Sequence, residues 1–153
     1  MVKDGDFVLC DFGACYRRYN ADSTRTFVYR KTTRQQKEMY DVVLHAQQIG
    51  FDVIRAGVPA CEVHQKVASY IDSTAFKGRF IHNTGHSLGL AVHDGPGFTG
   101  DTMETLQENM VLTVEPGVYI PGVGGVRIED DIVVKKGGIE LLTHSSRKYT
   151  EIQ

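Results

Sequence analysis

Asp11 interrupts an otherwise apolar run, F-V-L-C-D-F-G-A, from Phe7 to Ala14. A carboxylate in such a setting is costly to desolvate unless it has a partner. The run is rich in β-branched and aromatic residues, as is Ser23 to Tyr29, and the polar stretch Tyr16 to Asn20 separates them. The two segments predict a hairpin. A turn centred between Tyr16 and Arg17 places Asp11 opposite Asp22. Directly opposed residues have Cβ atoms about 4.5–5.5 Å apart, where like charges destabilise the pair unless a cation intervenes. The arrangement recurs later in the chain. Met110 to Ile120 and Val126 to Val134 flank P-G-V-G-G, and a turn centred on Gly122 places Glu115 opposite Glu129. Two hairpins that each oppose two acids among apolar residues predict a site for hard divalent cations, which take oxygen ligands and compensate several carboxylates at once.

A nitrogen ligand would complete such a set, and H-N-T-G-H-S-L-G-L-A-V-H-D-G-P supplies three candidates, His82, His86 and His93. The helical H-E-x-x-H zinc motif is excluded, because no Glu follows the first His and Gly85 and Gly89 oppose a helix. These histidines belong on strands or bends. The plainer alternative is that each acid is a solvated or salt-bridged strand residue, with Arg25 and Arg127 close enough in sequence to serve. Four acids in two opposed pairs beside a histidine cluster favour the metal reading. His45, His64 and His144 read as ordinary residues, the first two on helices and the third in a polar tail.

The elements that must position these residues follow an order of β, then α, then β, that of an α+β domain. Thr33 with Gln36 three residues on makes a capping box, and Met39, Val42, Val43, Ala46, Ile49 and Val53 recur at helical spacing until Gly57. A long amphipathic helix is predicted there. Pro59 suits a first helical turn, and Val63, Val67, Tyr70 and Ile71 then share one face. Glycine-punctuated strands are expected after Phe80.

The chain has 153 residues, with 17 Lys+Arg against 19 Asp+Glu and a formal net charge of −2. That composition suits one globular domain and gives no electrostatic footprint for nucleic acid or an anionic membrane. No apolar run approaches the roughly 18 residues of a membrane span, and M-V-K-D-G-D lacks a signal peptide's apolar core, so a cytoplasmic location is expected. Cys10, Cys15 and Cys61 form no C-x-x-C pair or even disulfide set and read as reduced core residues. P-G-V-G-G lacks the ending of a phosphate loop, no G-x-S-x-G occurs, and Arg17-Arg18 and Lys135-Lys136 are too short for a nucleic-acid patch.

D-F-G-A at Asp11, A-D-S-T-R-T-F around Asp22, the histidine segment, T-V-E-P-G-V-Y-I-P and G-G-V-R-I-E-D resemble the pita-bread metallopeptidases. Within them the match is to the Xaa-Pro dipeptidases (prolidases) and aminopeptidases P. The resemblance implies that Asp11 ligates one metal, that Asp22 and Glu129 bridge two, and that His86 and Glu115 ligate the other. It implies two divalent ions, Mn²⁺ or Co²⁺ with Zn²⁺ also accepted, and a peptide substrate with proline after the scissile bond. His82 and His93 match additional active-site histidines, and Arg127 matches an Arg that orients the carboxylates. By this reading a metal-bridging hydroxide attacks the carbonyl, His93 or His82 stabilises the oxyanion, and Glu115 carries the proton to the leaving nitrogen.

Family members also carry two helices and further sheet before the first ligand strand, so residues 1–153 are expected to form a single partial catalytic domain. The strand at Phe7 reads as central with one face uncovered, and self-association into a homo-oligomer is expected. Three other readings stand beside this one. They are a non-catalytic binding or scaffold protein on the same fold, a metal-binding fragment without turnover, and a methionine aminopeptidase. The last shares the five ligands but usually lacks a histidine four residues before the ligand histidine, where this chain has His82.

Overall fold

The computed structural model describes residues 1–153. A long hairpin comes first, strand β1 (Phe7–Tyr16) antiparallel to β2 (Tyr19–Tyr29). Helices α1 (Arg34–Val53) and α2 (Ala60–Asp72) follow. A connection without regular structure then leads to β3 (Val111–Val114), β4 (Gly117–Ile120), β5 (Gly124–Arg127), β6 (Asp130–Lys135), β7 (Gly138–Leu141) and β8 (Glu151–Ile152). The sheets have the orders β1-β2-β8, β3-β6-β7 and β4-β5. No helix is long and apolar enough to cross a membrane.

The expected capping box is present: the Gln36 N–H donates to Thr33 Oγ1 at 3.2 Å, and the Thr33 N–H to Gln36 Oε1 at 2.8 Å. Met39, Val43 and Ala46 of α1 and Val67 and Ile71 of α2 pack on Val118, Val126 and Ile128 in one apolar cluster. Phe51, Ile54 and Val63 join Leu112, Val114, Ile132 and Val134 in a second. In the later strands these core residues all have even numbers. Side chains alternate across a strand, so the odd-numbered Thr113, Glu115, Tyr119, Arg127, Glu129 and Asp131 are turned to the opposite face. The helices thereby commit one face of the sheet to the core and leave the other to the acids.

The second hairpin keeps the expected register. Both its ladders, β3 with β6 and β4 with β5, are centred on Gly122, so Glu115 and Glu129 lie across from one another where the ladders break. The first hairpin does not. Its turn is Arg17-Arg18, both with positive φ (50° and 76°), and Asp11 pairs with Thr24 while Asp22 pairs with Gly13. A two-residue turn of this hand matches the strand twist and moves the register by two residues. Asp11 and Asp22 remain on one face, as diagonal rather than direct neighbours.

Within this chain β1 pairs with β2 alone, and Phe12 on it is 60% exposed. One further expectation is corrected. Cys61 is buried and Cys10 half-buried, but Cys15 is exposed, because the hairpin's end extends beyond the covered part of the sheet. All three cysteines are free.

Candidate metal centre

Four segments converge on the odd-numbered face. Residues 84–88 run beside β3 as an irregular strand: the Glu115 N–H donates to Thr84 O (2.8 Å), Thr113 N–H to His86 O (2.9 Å) and Leu88 N–H to Val111 O (3.0 Å). The approach is close enough to require glycine, since a Cβ on Gly85 would lie 1.9 Å from Thr113 O. Gly85→Ala must therefore push this segment off β3 and His86 with it. A loss of about 2–3 kcal/mol in stability is expected, read as a lower melting temperature, and an unchanged melt would contradict the packing described.

β2 is sewn to the later strands by alternate polar residues. Thr26 Oγ1 donates to Arg127 O at 2.8 Å, the Glu129 N–H to Thr24 O at 3.1 Å, and Thr24 Oγ1 to Glu129 Oε2 at 2.5 Å. The seam places Asp22 beside Glu129. One ligand atom each from Asp22, His86 and Glu129 lie within 4.8 Å of one another. His86 Nε2 is 3.7 Å from Asp22 Oδ2 and 3.5 Å from Glu115 Oε1. His86 Nδ1 donates to Ser87 O at 3.2 Å, which leaves Nε2 as the free lone pair facing the acids.

Asp11 stands apart from this cluster. Its side chain is 48% exposed and its Oδ2 is paired with the Arg127 guanidinium. Arg127 also donates from Nε to Thr24 Oγ1 (3.1 Å) and from Nη1 to Tyr119 OH (3.2 Å), and its Nε is 3.8 Å from Glu115 Oε2. The other arginine near the acids, Arg25, turns to the opposite face and pairs with Asp130. The Tyr119 hydroxyl is 2.9 Å from His82 Nε2, and His82 Nδ1 donates to Asn83 O at 2.8 Å. The His93 ring stacks on His86, centroids 3.8 Å apart and planes 12° apart, with His93 itself exposed. His82, His86, His93, Glu115 and Arg127 line one cleft of about 490 Å³. A larger depression of about 700 Å³, between α1 and residues 141–148, contains His45 and His144, but neither belongs to a cluster of ligand atoms.

The acids are strained electrostatically. Burial, together with the Glu115 charge, pushes the Glu129 carboxyl up to about 8. Burial pushes Glu115 up to about 7, against the opposing pull of Arg127. Burial and the Asp11 charge raise Asp22 as well. These are carboxylates short of positive charge, and oxygen donors around one free imidazole nitrogen are the donor set that hard divalent ions fit.

The sequence profile of metallopeptidase family M24 matches residues 1–136. The chain belongs to metallopeptidase family M24. This M24 chain is 40% identical over 147 residues to an Xaa-Pro dipeptidase of Pyrococcus horikoshii, covering 96% of the chain and 42% of the relative. Its fold matches the structure of an Xaa-Pro dipeptidase from Bacillus anthracis with a TM-score of 0.96 at 42% identity, covering 99% of the chain and 42% of that structure. An X-Pro aminopeptidase from Thermotoga maritima matches with a TM-score of 0.95 at 37% identity, over 99% of the chain and 43% of that structure. The fold is the α+β pita-bread fold of the family, and the chain spans about 42% of the length of the relatives it matches.

Several residues at the centre were not singled out from sequence. Thr24 and Thr26 were visible as polar positions alternating with Asp22, and Thr113 as one alternating with Glu115. Tyr119, Asp131 and His64 carried no such signal. Half-buried His64, expected to be an ordinary helix residue, has Nδ1 3.0 Å from the Oγ1 of Thr84, whose carbonyl holds the Glu115 N–H.

Proposed function

We propose that this M24 chain carries the metal-holding side chains of a dinuclear exopeptidase acting on Xaa-Pro peptide bonds. The observation that carries the proposal is the convergence of Asp22, His86 and Glu129 within 4.8 Å, with Glu115 against His86 and Asp11 across the Arg127 guanidinium. Asp11, Asp22, His86, Glu115 and Glu129 would hold two divalent ions, and four carboxylates to one imidazole favour Mn²⁺ or Co²⁺ over Zn²⁺. When bound, such ions supply Lewis-acid polarisation of a carbonyl and acidify water near neutral pH. The names of the relatives, Xaa-Pro dipeptidase and X-Pro aminopeptidase, support a substrate with proline after the scissile bond.

The chain's own groups divide the remaining work. Thr113 Oγ1 donates to Glu115 Oε1 at 3.2 Å. Glu115 Oε2 is then the oxygen able to take a proton and return it to the leaving proline nitrogen. The hydrogen-bond network assigns His82 its tautomer: Nδ1–H is given to Asn83, and Nε2 accepts from Tyr119, which in turn accepts from Arg127. His82 has no free donor in this arrangement and serves to hold Tyr119 and Arg127. His93, exposed above His86 at the cleft, is the histidine left to donate to a developing oxyanion. The exposed β1 edge supports self-association of the chain.

The test is release of proline from Xaa-Pro dipeptides by the purified chain with Mn²⁺, alongside Xaa-Ala controls. Metal-dependent cleavage confined to Xaa-Pro is expected. Equal cleavage of Xaa-Ala would contradict the substrate class, and a folded, metal-loaded chain without turnover would contradict activity of this chain alone and favour the metal-binding fragment. His93→Ala is expected to keep its metal and lose about 10²–10³ in kcat. Unchanged kcat would remove His93 from the oxyanion role.

A further inference from the structure

We infer that Asp131 is a positioning residue for Asp22, its carboxylate holding the Asp22 backbone N–H and so fixing how the Asp22 side chain enters the acid cluster. The inference rests on the metal reading proposed above. Along the seam between β2 and residues 127–131, partners step by two residues in opposite directions: Thr26 meets Arg127 and Thr24 meets Glu129. Asp22 and Asp131 are the next rung. There the Asp131 main chain is engaged with residues 142–143 instead, its N–H given to Thr143 Oγ1 (3.0 Å) and its carbonyl accepting the Leu142 N–H (2.9 Å). The side chain takes over, with Oδ2 accepting the Asp22 N–H at 3.0 Å.

Two features separate this role from packing alone. Asp131 is only 5% exposed, yet its Oδ1 has no partner, so the carboxylate is not held by a saturated set of structural bonds. Its one side-chain bond goes to the residue whose Oδ2 faces His86 Nε2. Metal affinity is sensitive to such outer contacts, and losing one typically costs about 10–100-fold.

The test compares Asp131→Leu, which keeps the volume without an acceptor, and Asp131→Asn, which keeps an amide oxygen for the Asp22 N–H. Each is titrated with Mn²⁺ by calorimetry and with Co²⁺ by visible absorption, with circular dichroism melts as the check on folding. The Leu variant is expected to bind Mn²⁺ about 10–100-fold more weakly with an altered Co²⁺ spectrum, and the Asn variant to match wild type in both. A wild-type chain that binds neither ion overturns the metal reading and the inference with it. Wild-type binding with an unimpaired Leu variant, or with an Asn variant as impaired as Leu, overturns the inference alone. If the Leu variant does not fold, the Asn variant decides: retained affinity and spectrum uphold the role, and a tenfold loss refutes it.

Discussion

Glu129→Gln is expected to melt about 4–8 °C above wild type at pH 8 without metal, and to lose the wild-type complement of bound Mn²⁺. Glu129 is 2% exposed, its Oε2 accepts from Thr24 at 2.5 Å, and Glu115 lies across the break in the ladders. Its carboxyl is pushed up to about 8 and that of Glu115 to about 7, burial being the main cause in both. Between the ordinary carboxylate range and these raised values, the folded chain therefore binds more protons than the unfolded one. Stability of the metal-free protein must fall as pH rises through that window, with the full penalty above about pH 8. A neutral amide at position 129 removes a penalty on the order of 2 kcal/mol once crowding with Glu115 is allowed for. Its amide oxygen can still accept from Thr24. Added Mn²⁺ should reverse the order, since ions that bind only the folded chain stabilise it by roughly 2.7 kcal/mol at a hundred times Kd. A Gln variant that melts below wild type at pH 8 would contradict the first half, and one that still binds the full complement would contradict the second.

Removal of one member of the ion pair on the helix-facing side should cost more. Asp130 is fully buried and Arg25 is 5% exposed, with Arg25 Nη2 2.5 Å from Asp130 Oδ1. Gln47 Nε2 donates to Asp130 Oδ2 at 3.0 Å, and Arg147 Nε is 3.8 Å from the same oxygen. Arg25 also donates to the carbonyls of Thr24 (2.8 Å), Glu129 (2.5 Å), Ser145 (3.0 Å) and Ser146 (3.1 Å). Asp130→Ala leaves a desolvated guanidinium without its counter-ion, a loss of about 3–5 kcal/mol. That corresponds to about 6–20 °C in melting temperature for a chain of this size. Arg25→Met is expected to be at least as damaging, because it takes the paired charge from Asp130 and one donor from each of four carbonyl oxygens at once. A melt of Asp130→Ala within 2 °C of wild type would show the pair to be dispensable.

The helices were legible because their signals are local. The Thr33 and Gln36 box and the apolar spacing of α1 need no knowledge of the rest of the chain. The second hairpin was legible for the same reason, as Gly122, with φ of +78°, marks its centre. The first hairpin turns on Arg17 and Arg18 in left-handed conformations that arginine seldom adopts, so no residue type marks the centre, and the register differs by two residues from the one the sequence pattern predicts. β7 and the two-residue β8 escaped notice, and strands that short carry too little pattern to read. In the centre, the acids and histidines declared themselves by type. The groups that aim them did not. Thr24 with Glu129, Asp131 with Asp22, and Tyr119 with His82 join residues 37 to 109 positions apart, and such contacts exist only once the sheets have met. The withdrawal of Asp11 to Arg127 was equally hidden, since both were known to be near the site but not that they would pair.

The central claim is that the chain holds two divalent ions on carboxylates it shares between two hairpins. The direct measurement is the stoichiometry of Mn²⁺ bound to the folded chain, by elemental analysis after gel filtration, for wild type and Asp22→Ala. Two ions per chain are expected for wild type and fewer in the variant, because Asp22 is one of the ligands proposed above to serve both ions. A folded wild-type chain without bound metal, or an Asp22→Ala chain that keeps both ions, would contradict the account.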